Sequence, residues 1–321
     1  MRTPARSCGH MRQNGAVTPA TRQPEPPAPR ASRTVPPALD QGGTPIVPPR
    51  LIATDLDGTL LRDDKSVSER TVAALAAAEE AGIEVFFVTG RPARWMDVVS
   101  DHVHGHGLAI CGNGAAVVDL HGGPGAHRFV KVRELARENA LDAVRLVRDA
   151  APGTVFAVEQ TYGFYQEPAY PKMHLELPDA LGPAEKLLAP DAPGAGEPVL
   201  KILAFHHELD PDAFLTVARG AVVDRATVTR SSPSALLEIS GPGVSKASTL
   251  ALCCAERGIA PEEVVAFGDM PNDVEMLTWA GRSYAMGNAH PNVIAAASGR
   301  TVANNEDGVA VVIERIIADR L

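Results

Sequence analysis

Residues 55–60 read DLDGTL and follow directly on the short apolar run Leu51-Ile52-Ala53-Thr54. A strand that ends in two carboxylates two positions apart, then turns sharply at a glycine, puts both acids at its carboxyl end. There backbone amides and a metal can be gathered around a phosphate. In an open parallel sheet, ligands bind in the crevice outside the carboxyl ends of the strands. The string therefore predicts a sheet of that kind and a site at its edge.

Three further elements support the same geometry. Glu84-Val85-Phe86-Phe87-Val88 is a largely apolar run ending in Thr89-Gly90-Arg91; Lys246 opens a helical pattern after the strand-like Leu236-Leu237-Glu238-Ile239; Val264-Val265-Ala266-Phe267 ends in Gly268-Asp269, with Asn272 and Asp273 just beyond. Each polar group lies at or near a strand end or a helix start, so distant parts of the chain converge on one place.

In these residues the chain resembles the haloacid dehalogenase (HAD) superfamily, and within it the Cof-like phosphatases of the type-IIB branch. DLDGTL matches the first family motif, VTGR (88–91) the second, GVSKASTL (243–250) the third and GDMPNDVEML (268–277) the fourth. Two accessory strings agree, CGNGA (111–115) and AMGNAHPNV (285–293). The match runs from about Arg50 to Leu321, and the four motifs together are far more specific than any one. One departure is small: Ala247 stands where the family often has Gly, and Ala is a good helix former that leaves the lysine's charge in place.

The resemblance implies a Rossmann-like α/β core with a parallel sheet and an inserted α+β cap, and a Mg2+-dependent hydrolysis of small phosphomonoesters. A carboxylate attacking a phosphate dianion meets repulsion of about 4 kcal/mol per charge pair at ~4 Å with an effective dielectric near 20. Asp57, Asp269 and Asp273 around Asp55 would add to it, and a hard divalent cation with oxygen ligands removes it. Metal ligation is assigned to the side chains of Asp55 and Asp269 and, as the resemblance implies, to the main-chain carbonyl of Asp57. Asp273 would orient the metal's waters or Lys246. Asp55 is the expected nucleophile, forming an aspartyl-phosphate; Asp57 would protonate the leaving alcohol and then deprotonate water. Lys246 supplies compensating charge. Leu56, Thr89, Gly90, Arg91, Asn113, Gly114 and Asn272 complete the phosphate- and substrate-facing set. Arg91 is equally a surface ion pair on sequence grounds, and Asn113-Gly114 equally a type I′ turn.

Two neighbouring readings stay open. A phosphohexomutase of the same branch would use the same aspartyl-phosphate but return the phosphoryl group to a sugar; a phosphometabolite-binding regulator would carry a silent site. The intact Asp55, Asp57, Lys246 and Asp269 set speaks against the second. The alternating His102, His104 and His106 invite a metal reading, but the segment is a glycine-broken loop before a strand and the mechanism calls for oxygen ligands.

Only about 30 residues separate the first two motifs, and one helix, Ser68 to Ala81, consumes most of them. The roughly 150 residues between Arg91 and Lys246 exceed what one βα unit needs. Within them Val132 to Ala151 reads as an amphipathic helix, Val155 to Gln160 and Leu200 to Phe205 as strands, Pro211 to Arg219 as a helix and Ala226 to Arg230 as a strand, with a proline- and glycine-rich loop from Pro178 to Pro198. The expected organisation is an N-terminal extension over 1–49, a catalytic core over 50–125 and 236–321, and a cap over 126–235.

Net charge is −9; the first 50 residues hold seven Arg against Glu25 and Asp40, so the remainder stands near −14, which argues against nucleic acid as the main partner. Residues 1–49 show no hydrophobic periodicity and are expected to be disordered, with no apolar h-region of a secretory signal. No window approaches the ~18 to 20 apolar residues of a membrane span. Scattered Cys8, Cys111, Cys253 and Cys254 lack metal-ligand spacing and favour a reduced, cytoplasmic setting.

Overall fold

The structure, a computed structural model, describes residues 47–100, 107–172, 177–232 and 234–319. Of the extension expected over 1–49, residues 1–46 with Cys8 lie outside the described residues, as does the His102, His104 and His106 alternation. Five strands come first: β1 (Leu51–Thr54), β2 (Glu84–Val88), β3 (Leu108–Cys111), β4 (Ala116–Asp119) and β5 (Arg128–Val132). Then come β6 (Val155–Gln160), β7 (Phe164–Gln166), β8 (Ala180–Leu181), β9 (Val199–Phe205), β10 (Thr227–Thr229) and β11 (Leu236–Ser240), followed by β12 (Val264–Gly268), β13 (Arg282–Ala285) and β14 (Gly299–Arg300). The helices are α1 (Glu69–Glu80), α2 (Asp97–Ser100), α3 (Arg137–Ala150), α4 (Ala184–Leu187), α5 (Pro211–Val222), α6 (Lys246–Glu256), α7 (Val274–Trp279), α8 (Pro291–Ala296) and α9 (Gly308–Ala318).

Two sheets result. The first runs β14-β13-β12-β1-β2-β3-β4-β5, parallel from β14 to β3 and closed by an antiparallel hairpin pair. Its central strands are almost wholly apolar because both faces are covered, and all four residues of β1 and all five of β12 are buried. Thr54 lies opposite Phe267 on one side and Phe87 on the other, so β1, β2 and β12 end at one level. That register is what brings three sequence-distant motifs together.

The second sheet, β10-β11-β9-β6-β7-β8, is antiparallel except for the β7–β8 pair. Its strands obey the period-2 rule. Phe156, Val158, Tyr165, Ile202, Ala204, Leu237 and Ile239 pack with Val144 and Val147 of α3 and Phe214 and Ala218 of α5. The alternate residues Glu159, Phe164, Gln166, Lys201, Leu203, Leu236 and Glu238 line a cavity shared with the strand ends of the first sheet.

The structure differs from the sequence reading in three places. β11, grouped above with the core because it precedes the lysine motif, pairs antiparallel with β9, Ile239 opposite Ile202, and belongs to the second sheet. Arg128–Val132 is the edge strand of the first sheet, so α3 begins at Arg137 rather than Val132. By sheet membership the change-over points fall near 133 and 241, not 126 and 235. The Pro178 to Pro198 stretch carries β8 and the short α4.

Candidate active site

The turn after β1 is built around a close approach. Gly58 has φ +76°, and a Cβ there would overlap the Asp269 carboxylate, so only glycine lets the first motif reach the acid at the end of β12. Thr59 Oγ1 then donates to Asp269 Oδ1 at 3.1 Å. The accessory string contributes from outside, with Asn288 Nδ2 donating to Gly58 O at 2.8 Å.

Lys246 enters from the first turn of α6. Ser245 caps the helix and forms a reciprocal box with Ser248, which sets where the chain turns into the helix and so where the lysine stem starts. Its Nζ donates to Asp55 Oδ1 at 2.6 Å and to Asp273 Oδ1 at 2.7 Å. Asp273 Oδ2 accepts from the backbone N–H of Asp269 and of Met270, each at 3.1 Å. Lys246 and Asp273 are 1% and 0% exposed, so this network lies behind Asp55 rather than in the cavity. Both oxygens of Asp273 are committed, which makes it a holder of Lys246.

Three carboxylates against one ammonium leave the cluster short of positive charge. Burial pushes Asp55 up to about 7, with Asp273 and Asp57 adding to it against Lys246. Burial, reinforced by Asp55 and Asp273, pushes Asp269 up to about 8. Burial works against the charge on Lys246, but Asp273 and Asp55 outweigh it and raise its pKa. Carboxylate oxygens of Asp55, Asp269 and Asp273 lie within 4.8 Å of one another, an all-oxygen set that can bind a hard cation. The charge deficit and the donor chemistry both fit such an ion.

Asp57 is differently placed. Its carboxylate takes Arg91 bidentately, Nε at 2.5 Å and Nη2 at 2.7 Å, and Lys65 Nζ at 2.8 Å. Burial would raise its pKa, but the hydrogen bonds from Arg91 and Lys65 win and bring it to about 2. Arg91 is thus ion-paired and at the same time lines the cavity.

The cavity has a volume of about 1180 Å3, and Asp55, Asp57, Gly90, Arg91, Asp269 and Asn272 all line it. Leu56, Thr89, Asn113 and Gly114 do not. The Leu56 side chain is in the core, which leaves only its main chain for the site. Thr89 Oγ1 accepts from Arg91 N at 3.1 Å and so shapes the turn. Asn113 and Gly114, both at positive φ, are the central residues of a turn closed by Ala115 N–H to Gly112 O at 3.3 Å. A Cβ on Gly114 would overlap the Ser245 carbonyl, so this glycine packs the hairpin onto the cap of α6. Asn113 Oδ1 accepts from Asn272 Nδ2 at 2.9 Å, while Asn272 Oδ1 is buried with no hydrogen-bond partner.

Sequence reasoning missed the cavity's other charged and aromatic residues. Lys65, at φ 69°, reaches Asp57 from a tight turn. Arg94 pairs with Glu159, and its guanidinium lies 5.2 Å from the Phe164 ring centroid and 5.5 Å from that of Trp95. Lys201 pairs with Glu238. The signal for the last pair was present: a lysine interrupts the otherwise apolar β9, and a glutamate sits among the leucines and isoleucine of β11.

Comparison with known proteins agrees with this geometry. Residues 52–313 match the family described as haloacid dehalogenase-like hydrolase. The 5-amino-6-(5-phospho-D-ribitylamino)uracil phosphatase YitU of Bacillus subtilis (strain 168) is 31% identical over 268 residues, 82% of this chain and 95% of YitU. A haloacid dehalogenase-like hydrolase structure from Bacteroides thetaiotaomicron aligns with TM-score 0.65 and 27% identity over 84% of this chain and 99% of that one. The HAD subclass IIB sugar phosphatase BT4131 shares the fold, with TM-score 0.68 at 20% identity over 83% of this chain and 98% of its own. The chain belongs to the haloacid dehalogenase-like hydrolase family. Among the described residues no helix is long and apolar enough to cross a membrane.

Proposed function

We propose that the chain is a Mg2+-dependent phosphatase that hydrolyses small phosphomonoesters, sugar phosphates or related metabolites, through an aspartyl-phosphate on Asp55. The observation that carries this reading is the Lys246 ammonium fixed between Asp55 and Asp273 behind a cavity whose floor is Asp55 and Asp269. Lys246 holds one oxygen of Asp55 and so orients the carboxylate for attack. Asp55, Asp269 and the main-chain carbonyl of Asp57 would hold the Mg2+, which when bound neutralises charge on the phosphate and the acids.

Asp57 is held ionised in the resting site by Arg91 and Lys65. That form is the base that would take a proton from water in the second half-reaction. To protonate the leaving alcohol first, Asp57 must give up those cations and take up a proton from solvent or from the monoanionic ester; a phosphoryl group arriving beside it offers the cations alternative oxygens and so lets its pKa rise.

The second sheet is proposed as the cap, and its cavity face as the part that selects substrate. Phe164, Tyr170 and Trp95 offer apolar surface beside polar Glu159 and Gln166, which suits a leaving group with both ring or carbon-chain and hydroxyl character. The named substrate of YitU, a ribityl phosphate bearing a pyrimidine, has that mixed character. The acidic chain speaks against nucleic acid as substrate, and buried free Cys111, Cys253 and Cys254 accord with a cytoplasmic setting.

The test is phosphate release from p-nitrophenyl phosphate and a panel of hexose, pentitol, triose and nucleotide monophosphates, with EDTA and with Mg2+ restored. Release that EDTA stops and Mg2+ restores is expected. No release from any ester, or full release after rigorous metal removal, would overturn the reading.

A further inference from the structure

Lys201 and Glu238 stand on neighbouring strands of the second sheet, on its cavity face, and each is 3% exposed. A buried ion pair is a poor device for stability, since well-packed apolar residues of similar volume serve as well or better. Its partners give a different reason for it. Lys201 Nζ donates at 2.7 Å to the main-chain oxygen of Gly90, in the turn that ends β2 of the other sheet. Glu238 accepts from Ser231 Oγ and from the Asn113 side chain. A Cβ built on Gly90 would sit 3.2 Å from Glu238 Oε1 and 3.3 Å from Asn113 Oδ1, so both sheets crowd onto this one residue.

What they crowd onto is catalytic ground. The residue after Gly90 is Arg91, which grips Asp57. Asn113 also accepts from Asn272, and its Nδ2 donates to Thr229 Oγ1 of β10 at 3.4 Å. One chain of polar contacts therefore runs from Lys201 through Glu238 and Asn113 to Asn272, with a branch to Gly90.

We propose that Lys201 and Glu238 are positioning residues: the pair clasps the second sheet onto the Thr89–Arg91 turn and fixes the placement of Arg91 and Asn272 in the cavity. The clasp completes the site only when the second sheet is seated. Breaking it leaves the acids of the floor intact but Arg91 and Asn272 loosely held. The effect falls on kcat through lost orientation rather than on the fold.

This inference rests on the phosphatase reading for its kinetic arm, and its second arm is independent of activity. The variants are Lys201→Met and the double Lys201→Met/Glu238→Gln, measured for kcat and KM on p-nitrophenyl phosphate with Mg2+, for Tm, and for hydrogen exchange in peptides covering 88–92 and 112–115. The double variant has no orphaned buried charge, so it decides the matter if the single one unfolds. The double variant is expected to keep its Tm within a few degrees and to lose about tenfold or more in kcat. Exchange should rise in both peptides while staying unchanged in β12. Wild-type kcat together with wild-type exchange in the folded double variant would overturn the proposal. If wild type itself releases no phosphate, the phosphatase reading fails, and exchange alone decides whether the clasp exists.

Discussion

The floor and the roof of the cavity are built on opposite principles. At the floor and just behind it, Asp55, Asp269, Lys246 and Asp273 are buried and tied together, each near the end of a central strand or the start of a helix. On the roof, the contributing residues are alternate positions of a mostly antiparallel sheet, mixed in charge and partly aromatic. A floor of that kind tolerates little change because Lys246 ties Asp55 to Asp273, and Asp273 in turn holds the backbone of Asp269 and Met270. A roof of that kind can exchange side chains without disturbing the acids, which is why the proposed chemistry is assigned to the floor and the proposed selectivity to the roof.

The largest effect should follow Asp55→Asn, which removes the proposed nucleophile while preserving shape. Turnover is expected to fall by at least about 10^4-fold with an unchanged circular dichroism spectrum. Activity within tenfold of wild type would place the covalent step elsewhere. Lys246→Met should break the floor structurally as well. It strands Asp55 and Asp273 without their ammonium, and losing one partner of a buried ion pair costs about 3–5 kcal/mol. Denaturant unfolding reads it, and a loss under ~1 kcal/mol would contradict the floor's rigidity.

Asp57→Asn comes next, at about 10^2 to 10^4-fold. The loss should be larger for esters with poor leaving groups than for p-nitrophenyl phosphate. Equal losses across leaving groups would remove the acid role.

The floor also predicts a pH signature. Asp55 and Asp269 are pushed up to about 7 and about 8, above the usual carboxylate value of 3.8. Without metal, the folded state therefore binds more protons than the unfolded one across that window. The stabilisation from holding those protons is present at acid pH and is lost as pH rises through 7 and 8. Mg2+ competes with the same protons, so its Tm shift should be larger at pH 8 than at pH 6, with proton release on binding near pH 7. A Tm shift that does not grow with pH would argue against Asp55 and Asp269 as ligands.

The roof should give the smallest and most selective effects. Phe164→Ala or Tyr170→Ala is expected to change KM several-fold and to reorder the substrate panel, while leaving kcat on p-nitrophenyl phosphate within about threefold. Uniform losses on every ester would mean that these rings support the floor.

The contrast also explains what was legible in the sequence. The floor residues announce themselves locally: an apolar strand, then acids, then a glycine whose conformation or close approach can be inferred from its place, as at Gly58. α1 was legible for the same reason, with Ser68 capping it and Gly82 at φ +76° ending it. Lys201 and Glu238 make sense only through the pairing of β9 with β11, and no local pattern states that register. β11 itself was grouped with the wrong sheet because an apolar run beside the motif lysine Lys246 looks like a core strand until its antiparallel partner is known. Lys65 was invisible because its reach to Asp57 depends on a left-handed turn at a non-glycine residue.

The central claim is that the phosphoryl group passes through the Asp55 carboxylate. Rapid acid quench of the enzyme during turnover with a phosphomonoester and Mg2+, followed by mass spectrometry of its peptides, reads this directly. The account predicts one phosphoryl group on the peptide containing Asp55, absent in Asp55→Asn and discharged when the chase is allowed to run. Full turnover with that peptide unmodified at every quench time, or with the phosphoryl group on a different residue, would contradict it.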